Sequence, residues 1–321
     1  MSETNTTPEY GFINWIKITP LESQVWPRTK ANEWTPETVA VSNDRRSWEE
    51  LSEAERDAML KIFAGLTLLD SRQAQVGVPA LRKGVTNPFE DAILAQFNSM
   101  EFTHVTSYST IFQTLCSKRV IDDLEEWALK YKPLQKKADL ITHGYHQTDP
   151  LKLRIASVFL ESFLFYSGFF YPLHLLSKNA MTNTATIIKL IIRDEAIHGT
   201  YIGHTFKKEW ETLSDARKSE LQSYAYEFMN ELYTNEMVYT DEMYNRIGLV
   251  SEVQSFLCLN ANKAFQQLGF DDLFPPEDCQ VNPAILRSMR SDSKTTHDFF
   301  SVKGSAYFMP KRVDTTDEDW M

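Results

Sequence analysis

Two copies of a Glu-x-x-His motif are the part of this sequence best suited to metal chemistry. The first is Glu101 with His104, within FNSMEFTHVTSYSTIF, and the second is Glu195 with His198, within IIKLIIRDEAIHGTYIG. A spacing of three residues places both side chains on one face of a helix, where they can hold one ion. A single motif is weak support, because acidic helices often carry it as a surface pair. Two copies in apolar surroundings predict buried metal ligands.

Two further carboxylates lie in apolar runs, Asp70 at the end of LTLLD and Glu161 within SVFLESFLF. Four buried carboxylates are costly unless they are neutralised, and two divalent cations would balance their charge. The alternative, pairing with basic side chains, has only Arg72 and Arg193 nearby in the sequence. Oxygen-rich ligation favours manganese or iron over a thiolate-binding metal. We therefore expect two Mn or two Fe ions, with positions left open for O₂ chemistry. The six predicted ligands are Asp70, Glu101, His104, Glu161, Glu195 and His198.

Tyr108 lies on the same helical face as the first motif. It follows His104 by four residues and Glu101 by seven, so it is predicted to lie one turn beyond them. A tyrosine on a core-facing stripe usually serves only in packing. Beside a dimetal centre that activates O₂, the same phenol becomes an oxidisable group.

The helices that must position these residues begin at capping signals. Ser52–Glu55 forms a capping box that opens a helix running toward Leu81, and Asn87-Pro88, with Glu90 at the third helical position, opens one that runs to about Leu115. Asp149-Pro150 repeats this device before the apolar stretch 155–176. Within that stretch, Pro172 is expected to kink or end the helix.

Further helical patterns cover about 182–211, 214–246 and 251–268, and the last two stop at Gly248 and Gly269. Asn282-Pro283 opens a final short helix. Glycine is scarce, 11 in 321 residues, and there is no alternating strand pattern, repeat or linker. We predict one all-α domain over 1–300, a ferritin-like four-helix bundle core with additional helices. Residues 301–321 are predicted to form a flexible C-terminal tail.

Charge and composition exclude several other classes of protein. The formal charge is 33 − 44 = −11, which argues against binding to nucleic acid or to an anionic membrane. The three cysteines form no metal or disulfide pattern, and the N-terminus shows no signal peptide, so a cytoplasmic protein is expected. The stretch 155–176 is long enough to span a membrane. The carboxylate of Glu161 inside it argues for a functional core helix instead.

Taken together, these residues resemble the radical-generating small subunit of class I ribonucleotide reductase. The strings KIFAGLTLLD, THVTSYSTIF, SVFLESFLFYSGF and IIRDEAIHG are similar to the class Ib branch. The resemblance extends from Trp34 to the tail. It implies that the six ligands hold a dimanganese or diiron centre and that Tyr108 carries a stable tyrosyl radical.

The resemblance also implies a route for the radical. Trp34 matches the tryptophan that relays the radical away from the metals, and Asp194 matches the aspartate between that tryptophan and His104. Tyr307 matches a mobile relay tyrosine, and the terminal TDEDW resembles the peptide that docks the large catalytic subunit. The chain ends at Trp320-Met321, where relatives often continue to a terminal aromatic residue.

More ordinary interpretations of these residues remain open. Asp194 could instead pair with Arg193 or a lysine, Trp34 could serve in packing, and the tail could be a solubilising acidic end. The class Ib resemblance further implies a flavodoxin-like activating protein and a homodimer. Two other functions compete with it. One is a ligand-binding dimetal oxidase of the same fold, which would need neither Trp34 nor the tail, and the other is a non-catalytic iron-storage or scaffold protein.

Overall fold

The computed structural model describes residues 11–289, and the predictions for Tyr307 and the docking peptide lie outside them. This part of the chain is built from helices, with no β-strand among the described residues. The α-helices are α1 Pro20–Ala31, α2 Arg45–Glu50, α3 Glu53–Arg72, α4 Val78–Arg82, α5 Pro88–Leu115, α6 Lys118–Lys130, α7 Lys132–Tyr145, α8 Pro150–Phe159, α9 Tyr166–Ser177, α10 Thr182–Trp210, α11 Asp215–Tyr244, α12 Val250–Leu268 and α13 Pro283–Met289. Two π-helical segments, Gln73–Gly77 and Leu160–Leu164, connect α3 to α4 and α8 to α9. Short 3₁₀ turns occupy Trp15–Lys17, Pro36–Thr38, Val41–Asp44 and Asn245–Ile247.

The predicted capping signals begin α3 and α5, which carry three of the candidate ligands. At α3, the Ser52 amide donates to Glu55 Oε2 at 2.8 Å and Ser52 Oγ accepts from the Glu55 amide at 3.3 Å, which completes the capping box. Asn87 Oδ1 accepts from the amide of Phe89 at 3.0 Å and caps α5 in the same way. These bonds satisfy amide groups that have no partner within the first helical turn.

The helix ends also follow local chemistry. Gly248 and Gly269 have φ values of 69° and 81°. Both glycines lie just after helical segments and adopt the left-handed conformation that glycine tolerates best. The predicted stops after α11 and α12 are therefore confirmed.

A kink or an end of the helix was expected at Pro172, and the helix does not end there. Pro172 lies inside α9, which continues to Ser177. The whole segment Pro150–Ser177 is long and apolar enough to cross a membrane, but it is buried within the described fold. Burial of this segment against α3, α10 and α12 outweighs the roughly 3 kcal/mol that an interior proline costs. The departure from α-helical geometry occurs earlier, at Leu160–Leu164.

Four elements surround the candidate ligands. Helix α3 packs along α5, and α10 packs on α5, α8, α9 and the π segment Leu160–Leu164. Helices α3, α5 and α10 and the π segment Leu160–Leu164 each bring one of the four predicted carboxylate ligands to the interior. The all-α, ferritin-like prediction is confirmed. Helices α6 and α7, which the sequence patterns left unassigned, cover the side of the bundle formed by α3.

Candidate metal centre

The six predicted ligands lie together in the interior of the bundle. Asp70 comes from α3, Glu101 and His104 from α5, Glu161 from the second π segment, and Glu195 and His198 from α10. None is more than 1% exposed. Charged residues are almost never buried to this extent without compensation.

These side chains form two overlapping groups with metal-ligand geometry. Asp70, Glu101, His104 and Glu195 form the first group. Glu101, Glu161, Glu195 and His198 form the second. Within each group, one candidate ligand atom from every residue lies within 4.8 Å of the others. Because both groups share Glu101 and Glu195, these six residues would hold two ions, with the two shared carboxylates available to either one.

The histidine nitrogens face this cluster of carboxylates. His104 Nδ1 lies 3.2 Å from Asp70 Oδ1, 3.3 Å from Glu101 Oε2 and 2.9 Å from Glu195 Oε1. On the other side, His198 Nδ1 lies 2.9 Å from Glu101 Oε1 and 3.3 Å from Glu195 Oε2. Each imidazole therefore directs Nδ1 into the space that its ion would occupy.

The donor atoms lack the hydrogen bonds that buried polar atoms normally make. Both oxygens of Glu101 and of Glu195 have no hydrogen-bond partner, and neither does either ring nitrogen of His198. One oxygen each of Asp70 and Glu161 is also without one. Unsatisfied buried groups are expensive. A pair of divalent cations fits this donor set, since it would satisfy all of these atoms at once.

The basic residues nearby do not supply the missing charge. Arg193 donates to the backbone carbonyl of Asn32 at 2.8 Å and lies 3.4 Å from Asp194, which is outside the six. Arg72 Nε is buried without a hydrogen-bond partner. Neither Arg72 nor Arg193 is therefore seen to neutralise the four clustered carboxylates.

Burial and the close approach of these groups shift the pKa values within the cluster. Burial raises the pKa of Asp70 and of Glu161 well above the usual carboxyl range. Burial alone would lower the pKa of His104 and His198, but the surrounding carboxylates outweigh it and raise both. Burial also opposes ionisation of Glu195, yet the neighbouring Glu161 carboxyl and the charge on His104 lower its pKa. Divalent cations would displace the protons held on the imidazoles and the two raised carboxyls.

Tyr108 lies next to the first group, as its spacing predicts. Its side chain is fully buried, its ring centroid lies 5.9 Å from that of Phe63, and its hydroxyl has no hydrogen-bond partner. Burial and the charges on Asp70 and Glu195 raise the pKa of Tyr108 well above 10. The phenol is therefore neutral, so removing an electron from it also requires removing its proton.

A hydrogen-bonded chain connects the cluster to the partly exposed Trp34. Trp34 Nε1 donates to Asp194 Oδ2 at 2.7 Å, and the same oxygen lies 3.4 Å from His104 Nε2. Trp34 follows α1 in an irregular segment, and its ring stacks on that of His104 with a centroid separation of 6.3 Å. A carboxylate that holds the outer N–H of a ligating histidine fixes its tautomer and orientation. Asp194 also contacts Arg193, so the ion pair and the Trp34 contact coexist.

Two residues in contact with the cluster were not identified from the sequence. Gln73 donates through Nε2 to Glu161 Oε1, and Tyr145 donates to Gln73 Oε1 at 2.6 Å. The one available signal was the position of Gln73, three residues after Asp70 and so on the same helical face. Nothing in the sequence near Tyr145 indicates this contact, because α7 reaches the cluster only through tertiary packing.

The chain is similar to known proteins over almost all of its length. Residues 13–283 match the family model described as "Ribonucleotide reductase, small chain". The chain is 47% identical over 309 residues to "Ribonucleoside-diphosphate reductase 2 subunit beta" of Escherichia coli, covering 96% of this chain and 97% of that one. It is 46% identical to the "Ribonucleoside-diphosphate reductase subunit beta" of Mycobacterium leprae, covering 96% and 94%. Among solved structures it is similar to Streptococcus sanguinis dimanganese(II)-NrdF, with a TM-score of 0.85 and 43% identity, covering 88% of this chain and 100% of that one.

Proposed function

We infer that this chain, which belongs to the ribonucleotide reductase small-chain family, is the class Ib beta subunit of a ribonucleoside-diphosphate reductase. One observation carries the mechanism: the two overlapping carboxylate–histidine groups lie beside a buried tyrosine. We propose that Asp70, Glu101, His104, Glu161, Glu195 and His198 ligate two ions and that Tyr108 stores a radical. The buried carboxylate–histidine cluster and the similar dimanganese protein support a dimetal centre in this chain. A tyrosyl radical is typical of the family, which supports the role proposed for Tyr108.

A bound pair of manganese or iron ions would supply one-electron redox chemistry at this position. We propose manganese as the native metal, because the similar Streptococcus sanguinis protein is described as dimanganese(II). Oxidation of Tyr108 by the oxidised metal pair would remove an electron and also the hydroxyl proton, since the phenol is neutral and fully buried, and the neighbouring Asp70 carboxylate would accept that proton. The same burial excludes water and external reductants from the oxidised ring, which allows the radical to persist.

The route out of the protein uses the chain from His104 to Trp34. Asp194 holds the indole N–H of Trp34 at 2.7 Å and also lies 3.4 Å from His104. Its carboxylate can therefore take the indole proton when Trp34 is oxidised, so that proton and electron move together. We propose that the radical continues from Trp34 to Tyr307 in the tail, and that residues 301–321 dock the large subunit.

A small subunit of this family works with a large catalytic subunit and forms a homodimer. We propose that nucleotides bind to the large subunit and that a flavodoxin-like protein delivers oxidant for manganese. We propose a cytoplasmic location; among residues 11–289, the one helical segment long and apolar enough to span a membrane has its apolar part buried in the fold. A ligand-binding dimetal oxidase remains the alternative on this fold, but it gives no role to the Trp34–Asp194–His104 chain.

Electron paramagnetic resonance of the reconstituted protein tests the proposal. After loading with Mn or Fe and oxidation, we expect a sharp organic-radical signal that is lost in Tyr108→Phe. The matched control is Tyr244→Phe, another fully buried tyrosine, whose hydroxyl bonds the carbonyl of Ser167 instead; its signal should be unchanged. A dimetal-loaded protein without a radical, or a radical that survives Tyr108→Phe, would refute the assignment of Tyr108.

Deleting residues 301–321 separates the radical subunit from the dimetal oxidase. We expect the truncated chain to keep its metal content and its radical signal, but to lose nucleotide reduction in the presence of the large subunit. Full partner-dependent turnover by the truncated chain would contradict a docking tail. A metal content near two ions per chain would exclude a storage protein.

A further inference from the structure

Glu161 differs from the other clustered carboxylates in its contact with a neutral amide. Gln73 Nε2 donates a hydrogen bond to Glu161 Oε1, whereas Glu161 Oε2 has no hydrogen-bond partner. Both partners of this contact lie in the interior, since Gln73 is 0% exposed and Glu161 is 1% exposed. One carboxylate oxygen is thus occupied by protein, and only the other is left for an ion.

Tyr145 determines which way the Gln73 amide faces. The Tyr145 hydroxyl donates to Gln73 Oε1 at 2.6 Å, and Ser157 Oγ lies 3.4 Å from Gln73 Nε2. If the amide were reversed, its carbonyl oxygen would face the Glu161 carboxylate and repel it. This repulsion selects the orientation with the N–H₂ group toward Glu161, and the Tyr145 hydroxyl stabilises that orientation by donating to the carbonyl oxygen of the amide.

The backbone is shaped around this contact. Gln73 begins the π segment Gln73–Gly77, and Glu161 lies in the π segment Leu160–Leu164. Single π turns are rare in helices and occur often at functional sites. A Cβ atom at Gly77 would lie 2.7 Å from two ring atoms of Tyr145 and would overlap Gln73 Oε1. The glycine thus leaves the space in which the amide and the phenol meet.

We propose that Gln73, oriented by Tyr145, is a positioning residue that holds Glu161 with only Oε2 directed toward Glu195 and His198. The inference rests on the proposed dimetal function and deepens it. Glu161 belongs only to the second of the two ligand groups. The Gln73–Tyr145 pair therefore controls one of the two ions and makes the two metal positions inequivalent.

Stepwise Mn²⁺ binding to the full chain tests this proposal without relying on activity. Calorimetry with Gln73→Leu should show one of the two ions bound about 10- to 100-fold more weakly, the usual effect of losing a side chain that orients a ligand. The other ion should bind as in the wild type. A crystal structure of the Mn²⁺-loaded variant, with anomalous scattering, should show the Glu161 carboxylate rotated and the His198 position depleted of metal.

Tyr145→Phe provides a milder second variant, which loses only the hydroxyl. We expect the same ion to bind about 2- to 10-fold more weakly, as for loss of one neutral hydrogen bond. Since Tyr145 acts through Gln73, adding Tyr145→Phe to Gln73→Leu should cause no further loss. Should Gln73→Leu not fold, the selective effect of Tyr145→Phe still decides the proposal.

Tyr244→Phe is the matched control, and it should leave both Mn²⁺ affinities unchanged. Wild-type affinity for both ions in Gln73→Leu, with Glu161 unmoved, would overturn the proposal. Equal weakening of both ions would also overturn it, because it would show general loosening of the bundle. A wild-type chain that does not bind two ions would instead refute the proposed function itself, so the two failures are distinguishable.

Discussion

A buried ion pair outside the metal cluster yields a quantitative prediction for stability. Lys137 on α7 and Glu236 on α11 are 2% and 0% exposed, and Lys137 Nζ lies 2.7 Å from Glu236 Oε1. The ammonium group also lies 3.6 Å from the ring centroid of Tyr239. The substitution Glu236→Gln keeps the side-chain volume but leaves Lys137 without its counter-charge.

The expected cost follows from this burial. Removing one partner of a buried pair typically costs about 3–5 kcal/mol, because the remaining charge stays desolvated. A protein of this size loses roughly 2 °C of melting temperature per kcal/mol, so we expect Tm to fall by about 6–10 °C. Thermal denaturation followed by circular dichroism measures this change. The matched control is Asp122→Asn, which removes an exposed pair with Lys118 and should cost at most about 1 kcal/mol.

The pH dependence of stability gives the prediction a second readout. Burial lowers the pKa of Lys137, and the charge on Glu236 opposes that effect. In the unfolded chain this lysine has a pKa near 10.4. At pH values between the lowered folded pKa and about 10.4, the unfolded chain binds one more proton than the folded chain. The free energy of unfolding therefore rises with pH in this window. Glu236→Gln lowers the folded pKa further and extends this rising window toward neutral pH.

Replacing both partners separates pairing from packing. The double variant Lys137→Met with Glu236→Leu removes both charges, and such apolar replacements are often neutral or stabilising by about 1–4 kcal/mol. We therefore expect it to recover most of the stability lost in Glu236→Gln. A loss in Glu236→Gln no larger than that in Asp122→Asn, or a double variant as unstable as the single one, would refute this reasoning.

Two further predictions concern the metal centre. Asp194→Asn removes the charge that holds the N–H groups of Trp34 and His104. Nucleotide reduction with the large subunit should therefore fall about 10- to 100-fold, while the Tyr108 signal in paramagnetic resonance remains. Unchanged turnover would show that this carboxylate is dispensable. The pKa values of His104 and His198 are raised, so Mn²⁺ displaces protons from both imidazoles when it binds. The affinity for Mn²⁺ should therefore rise with pH. Calorimetry in buffers of different ionisation enthalpy should detect the released protons. Binding without proton release would contradict these protonation states.

The sequence by itself determined which residues belong to the candidate centre. Each Glu-x-x-His pair is brought onto one face by helical periodicity alone, and Asp70 and Glu161 stand out as acids in apolar runs. The starts of α3, α5 and α8 were equally readable, because capping depends on a few consecutive residues such as Ser52–Glu55. These are local properties of the chain, so no tertiary information was needed to find them.

Only the tertiary structure decided how the helices face one another. Packing between elements distant in sequence allows the helix to continue through Pro172. It also sets the π segments beside Asp70 and at Glu161, and it brings Tyr145 to Gln73. The same is true of the buried Lys137–Glu236 pair, whose members are 99 residues apart. Periodicity fixes the face on which a side chain lies. The rotation and neighbours of each helix are set by the sum of many weak contacts, which no short motif encodes.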